Sequence, residues 1–290
     1  MQIKYLALLL CILLTGCAPQ SVPELTEQAL AEVPVNELTE EYRVYTVDGD
    51  VIPYTAQVSS DDILGVTALP YDLVCSIYQD TLDKLQTGRV MLIEVDGLGY
   101  QNLQDSDAHY LKSLDTEKLL SVMPSVSEVN LAAILTGETP AVNGITDKKA
   151  EEVLVPDIFE VLNQQGKSYA YIEGNGKLCN FSIDPIYSYD LNVDGSTDDN
   201  VYANGIKHLD NDFVYIHFHG YDELAHIHGY EAPETAQKLL EIEAYIRQLA
   251  EQFEGSVYVV SDHGFHGDNH GTFAPRDMIV PYITVTLPNA

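Results

Sequence analysis

The chain alternates short, almost wholly apolar runs with longer stretches of helical spacing. The runs 90–95 (VMLIEV), 213–218 (FVYIHF) and 256–260 (SVYVV) are near-continuously apolar and β-rich. That is the pattern of strands buried on both faces of a parallel sheet. Further strands are predicted at 119–123, 168–172 and 278–286. Helical spacing marks 71–86 (Leu73, Ile77, Leu82, Leu85), 157–165 and 235–253, the last with the stripe Leu239, Ile242, Ile246, Leu249 and Phe253. Another short helix follows Pro124, carried by Val129 and Leu131 to Leu135, with Gly137 placed to close it in the left-handed conformation. Residues 43–60 alternate about Asp48-Gly49, a hairpin signature, and 181–200 reads as a polar loop. Strand and helix alternate, so the prediction is one α/β domain: a mainly parallel central sheet flanked by helices.

The N-terminal stretch changes where this domain is placed. Lys4 precedes an apolar run from Tyr5 to Leu14, then Leu14-Thr15-Gly16-Cys17. The run is about half the length of a membrane span and fits the core of an export signal. Leu-Thr-Gly-Cys resembles a bacterial lipobox, so 1–16 is expected to be a lipoprotein signal peptide with Cys17 lipidated. The Pro-, Glu- and Thr-rich stretch 17–42 is expected to be an acidic tether and 43–290 the domain. This places the protein on the extracytoplasmic face of the cell membrane, lipid-anchored.

Charge narrows the partners. Fourteen basic residues against 45 acidic leave a net charge of −31, a field that repels nucleic acid polymers and attracts divalent cations. The oligomeric state is not addressed by this pattern. Outside the leader and anchor, Cys75 and Cys179 are either a disulfide or two free thiols, and without a CxxC pair cysteine-based zinc sites are excluded.

Ligands of open α/β sheets gather at the carboxyl ends of the strands. Asp96, Asp222 and Asp262 follow the three longest apolar runs there. His226 comes four residues after Asp222, His263 directly after Asp262, and His270 within GDNHG. Mixed carboxylate and imidazole ligands suit zinc, manganese or iron better than calcium or magnesium. Ser127 stands at the start of the helix after Pro124, either as a simple N-cap or as a hydroxyl beside an anion site. His219 and His228 crowd the same segment, His217 shares a strand face with His219, and His266 lies between His263 and His270.

The ordered series Asp96-Gly, Ser127 with Asn130 and Thr136-Gly137, Asp222-x3-His226, Asp262-His263-Gly and His270 resembles the alkaline phosphatase superfamily. Within it, the series is most similar to type I phosphodiesterases and nucleotide pyrophosphatases. The resemblance implies an alkaline-phosphatase-like core and two divalent metals, zinc with manganese as the alternative. One metal would be held by Asp222, His226 and His270. The other would be held by Asp96, Asp262, His263 and the Ser127 oxygen. It also implies that Ser127 attacks phosphorus to form a phosphoseryl intermediate, with Asn130 donating a hydrogen bond to a phosphoryl oxygen. Three features depart from the family: Ser127 where Thr is common, Ala225 where Gly often precedes the His, and a short gap between His263 and His270. Lys148, Lys149, Lys177 and Arg276 fit no recognised phosphate clamp, which favours a small diester substrate. The alternatives are a phosphomonoesterase, a headgroup phosphotransferase, and a non-catalytic binding lipoprotein. Tyr187, Tyr189 and Tyr202 are candidates for stacking on a substrate base or sugar.

Overall fold

The computed structural model describes residues 21–25, 30–34, 42–54 and 62–286. The predicted signal peptide and Cys17 lie outside the described residues. Five short strands come first: β1 (Ser21–Leu25), β2 (Leu30–Pro34), β3 (Arg43–Thr46), β4 (Val51–Pro53) and β5 (Ile63–Thr67). They form one sheet in the order β2-β1-β5-β3-β4. β3 and β4 make the antiparallel hairpin expected about Asp48-Gly49. β1 and β2, by contrast, fall in the stretch expected as a tether. They pair antiparallel, and β1 joins β5 in parallel. A strand added at a sheet edge is held by backbone hydrogen bonds, so a shortage of large apolar side chains does not exclude one.

Seven strands build the central sheet: β6 (Val90–Val95), β7 (Asp115–Leu120), β8 (Tyr169–Glu173), β9 (Ile186–Tyr187), β10 (Phe213–Phe218), β11 (Ser256–Val260) and β12 (Ile279–Val285). Their order is β7-β12-β11-β6-β10-β8-β9. Pairings from β11 through β9 are parallel, while β12 runs antiparallel to both its neighbours. This is the mainly parallel α/β architecture that the hydrophobic pattern predicts. β7 begins earlier than the apolar run 119–123 suggests. It is an edge strand whose residues 115–118 alternate between exposed and half-buried, so the polar half carries no apolar signal. Ser121 to Met123 then leave the sheet.

The helices are α1 (Ser76–Lys84), α2 (Tyr100–Asp105), α3 (His109–Lys112), α4 (Ser127–Thr136), α5 (Pro140–Asn143), α6 (Ile158–Gln164), α7 (Asp198–Lys207), α8 (Gly220–His228), α9 (Pro233–Gln252) and α10 (Pro275–Met278). α1, α4 and α6 cover one sheet face with Ile77, Val129, Leu131 and Phe159. α7 and α9 cover the other with Val201, Leu239, Ile242, Ile246 and Leu249. β6 serves both, sending Val90 and Leu92 to the first core and Met91, Ile93 and Val95 to the second. Each fully buried Leu or Ile in these layers stabilises the fold by about 1.5–3 kcal/mol. α7 begins inside the stretch expected as loop; Asp198, Val201 and Gly205 are its buried residues, too few to form an apolar stripe. Gly137 closes α4 at φ 75°, as its position predicts.

Candidate active site

Three adjacent parallel strands deliver the site. β6 ends at Asp96, β11 runs into Asp262 and His263, and β10 runs into His219. Asp222 and His226 stand one and two turns into α8, and His270 returns from the loop before α10. The loop after β11 is tied down on both sides. Ser121 Oγ donates to the Asp262 carbonyl at 2.6 Å, and Asn102 exchanges two hydrogen bonds with the Phe265 backbone at 3.0 and 3.1 Å.

Val126, in extended conformation, is the N-cap of α4, and Ser127 is the first helical residue. Its hydroxyl therefore caps nothing. Instead Oγ donates to Asp96 Oδ1 at 3.2 Å and lies 3.2 Å from His263 Nε2. The first N–H groups of the helix have no intrahelical partner, an arrangement suited to an anion beside Ser127.

The structure brings both expected ligand groups together. His226 Nε2 lies 3.6 Å from Asp222 Oδ2 and 3.0 Å from His270 Nε2, which in turn lies 3.9 Å from Asp222 Oδ1. His263 Nε2 lies 3.3 Å from Asp96 Oδ1 and 3.2 Å from Asp262 Oδ2. The donor set fits divalent cations on two further grounds. Nδ1 of His226, His263 and His270 each faces a backbone carbonyl, of Asp268, Gly264 and Ser125 respectively, at 3.0–3.3 Å. Those carbonyls take the ring N–H and leave Nε2 as a lone pair toward the site. Asp222 Oδ1 and Asp262 Oδ2 are buried without a hydrogen-bond partner, a cost a cation would remove.

Without a cation the carboxylates and imidazoles act on each other. Burial would raise Asp96, but the adjacent imidazoles of His217, His219 and His263 hold it well below the usual carboxylate range. Burial and the Asp96 charge push Asp222 up to about 8. Burial would lower His263, but Asp262 and Asp96 hold it at about 10. Burial and the neighbouring His263 and Lys148 charges drive His270 down to about 3. Lys148 is thus a cation whose field reaches the site.

Asn130 corrects the expectation placed on it. Its side chain is fully buried. Oδ1 accepts from Val122 N at 2.7 Å, and Nδ2 faces the carbonyls of Val122, Pro124 and Val126 at 3.4, 3.3 and 3.2 Å. It braces the loop that sets the start of α4. Positions i and i+3 share a helix face, but both ends of this amide are taken by backbone groups of residues 122–126.

Other residues were missed or misplaced in the sequence. Glu94, Glu173 and His217 are fully buried beside Asp96; the signal was a charged or polar residue inside an apolar strand. His266 is held by the buried Asp277 at 2.7 Å, and His228 is exposed. Tyr202 stacks on Tyr245 with ring centroids 4.7 Å apart, which commits it to packing. Lys177 pairs with Asp184 and Arg276 with Asp105. Cys75 and Cys179 are free thiols.

The mainly parallel sheet thus brings acid and imidazole side chains together past its strand ends. Residues 180–279 match the family described as type I phosphodiesterase / nucleotide pyrophosphatase. Asp222, His226, Asp262, His263 and His270 fall within the matched stretch; Asp96 and Ser127 lie before it. No curated protein matches the chain in sequence. Among solved structures, murine ectonucleotide pyrophosphatase / phosphodiesterase 5 is similar at 16% identity and TM-score 0.47. Phosphonoacetate hydrolase from Sinorhizobium meliloti 1021, in complex with phosphonoacetate, is similar at 19% identity and TM-score 0.48. Each alignment covers 61% of this chain and 57% of the other, so the chain matches little more than half the length of these proteins.

Proposed function

We propose that the chain is a metal-dependent hydrolase of phosphoric esters, a phosphodiesterase with Ser127 as nucleophile. The observation that carries this reading is the Ser127 hydroxyl, 3.2 Å from both Asp96 Oδ1 and His263 Nε2 at the start of α4. Asp222, His226 and His270 would hold one divalent cation and Asp96, Asp262, His263 and Ser127 Oγ the other, zinc or manganese. Such cations supply charge that lowers a hydroxyl pKa and offsets charge on phosphoryl oxygens. Ser127 Oγ bonds to phosphorus as the bond to the leaving oxygen breaks, and its proton passes through water to that oxygen, giving a phosphoseryl ester and a free alcohol. Water then attacks the same phosphorus, releasing the monoester and restoring the hydroxyl. The free N–H groups at the start of α4 hold a phosphoryl oxygen, the role expected of Asn130.

Substrates in this reading are small diesters met outside the cytoplasm, with the protein anchored at the cell membrane through Cys17. Among the described residues no helix is long and apolar enough to cross a membrane. The test is turnover of bis-p-nitrophenyl and mono-p-nitrophenyl phosphate by the purified protein with zinc or manganese. Diester turnover is expected, abolished by chelator and lowered on the order of 10³-fold or more by Ser127→Ala. Undiminished turnover in Ser127→Ala overturns the nucleophile. A well-folded protein that retains no metal overturns the reading.

The field of Lys148 at His270 favours one second reading, a monoesterase, because a dianionic phosphate needs an added cation. Monoester turnover that exceeds diester turnover and collapses in Lys148→Ala would decide for it.

A further inference from the structure

Asp96 turns one oxygen away from Ser127. Its Oδ2 lies 3.2 Å from His219 Nδ1 and 3.5 Å from His217 Nε2. His217 Nε2 in turn lies 3.3 Å from Glu94 Oε1. These two atoms belong to fully buried side chains, yet neither makes a hydrogen bond. The Asp96, His217 and His219 ligand atoms all lie within 4.8 Å of one another.

The far side of both rings explains the arrangement. His217 Nδ1 lies 3.1 Å from Glu173 Oε2, and His219 Nε2 contacts Glu173 Oε1. One carboxylate thus takes the outer N–H of two imidazoles. Glu173 is itself fixed by the Tyr171 hydroxyl at 2.8 Å and by Gly174 N at 2.9 Å. With the outer nitrogens protonated, His217 Nε2 and His219 Nδ1 turn lone pairs toward Asp96 Oδ2. A carboxylate that orients ligating histidines in this way is the usual support of a metal site. The spacings agree as well: ligand bonds of about 2.0–2.2 Å in a tetrahedron put ligand atoms about 3.3–3.6 Å apart.

We propose that Asp96, His217 and His219 form a further site for a divalent transition cation such as zinc. It shares Asp96 with the site proposed for catalysis but is otherwise built from separate residues. Its Glu173 carboxylate acts as a positioning residue. The cation pins Asp96 from behind, on the side opposite Ser127.

Zinc-loaded, desalted protein is measured by elemental analysis, and its crystals by anomalous scattering at the zinc edge. Three zinc ions per chain are expected, with a peak between His217 and His219. His219→Gln and His217→Gln each lose that ion and keep the other two, whereas His270→Gln keeps it. Should His217→Gln fail to fold, His219→Gln and the wild-type anomalous map carry the test. No peak between the two rings, or an unchanged zinc count in His219→Gln, overturns the proposal. A peak there without zinc at Asp222 and His226 would instead overturn the two-metal reading alone.

Discussion

Asn130→Ala separates a structural from a catalytic role for the residue three positions after Ser127. The substitution leaves the buried Val122 N–H without its 2.7 Å acceptor and removes the amide facing three carbonyls at 3.2–3.4 Å. An orphaned buried N–H costs about 1–3 kcal/mol, and each lost neutral hydrogen bond about 0.5–1.5 kcal/mol. The three carbonyl contacts share one amide group, so the sum is about 2–4 kcal/mol. For a domain of this size each kcal/mol lowers Tm by about 2–4 °C, giving a fall of about 5–15 °C. Calorimetry of metal-loaded wild type and variant measures it, alongside diester turnover well below either Tm. A transition-state donor would show the opposite split, with kcat down about 10²–10³-fold and Tm unchanged. That outcome would refute the structural assignment.

Further predictions concern the charged cluster and the helix cap. In chelator, stability should fall between pH 6.5 and 8. Folded His263 sits at about 10 against an ordinary 6.5, so its contribution is complete below 6.5 and is lost as pH rises toward 10. Asp222, raised to about 8, acts in the same direction, because the folded state holds a proton that the unfolded state has released. Thermal unfolding across this window, with and without zinc, measures the effect; a flat or rising Tm in chelator contradicts it, and zinc should flatten the slope. Gly137→Ala should cost at least about 1–2 kcal/mol, since φ is 75° and a Cβ would meet the Tyr78 ring at 2.9 Å. An unchanged denaturation midpoint would contradict that.

What could be read in the sequence follows from where each signal is local. β6, β10 and β11 carry uninterrupted apolar runs because both their faces are buried, and their bounds follow directly. Asp96, Asp262 and His263 were legible for the same reason, standing just past those runs. β7 was half hidden because an edge strand buries one side. β1 and β2 were hidden because backbone pairing leaves no compositional trace. Asn130 was misread because a motif gives spacing but not hydrogen-bond partners, and the backbone of residues 122–126 takes both ends of its amide. Glu173 and Glu94 carried a visible signal, an acid inside an apolar strand, but their partner His217 is set by strand order. The pairing of β10 between β6 and β8 lies in no local pattern.

The central claim is that Ser127 becomes covalently bonded to phosphorus. Rapid acid quench of metal-loaded protein during diester turnover, followed by peptide mass spectrometry, tests it most directly. The account predicts a phosphoryl adduct on the peptide containing Ser127, absent in Ser127→Ala and absent without metal. Full turnover with no adduct on Ser127, or an adduct that persists in the variant, would contradict it.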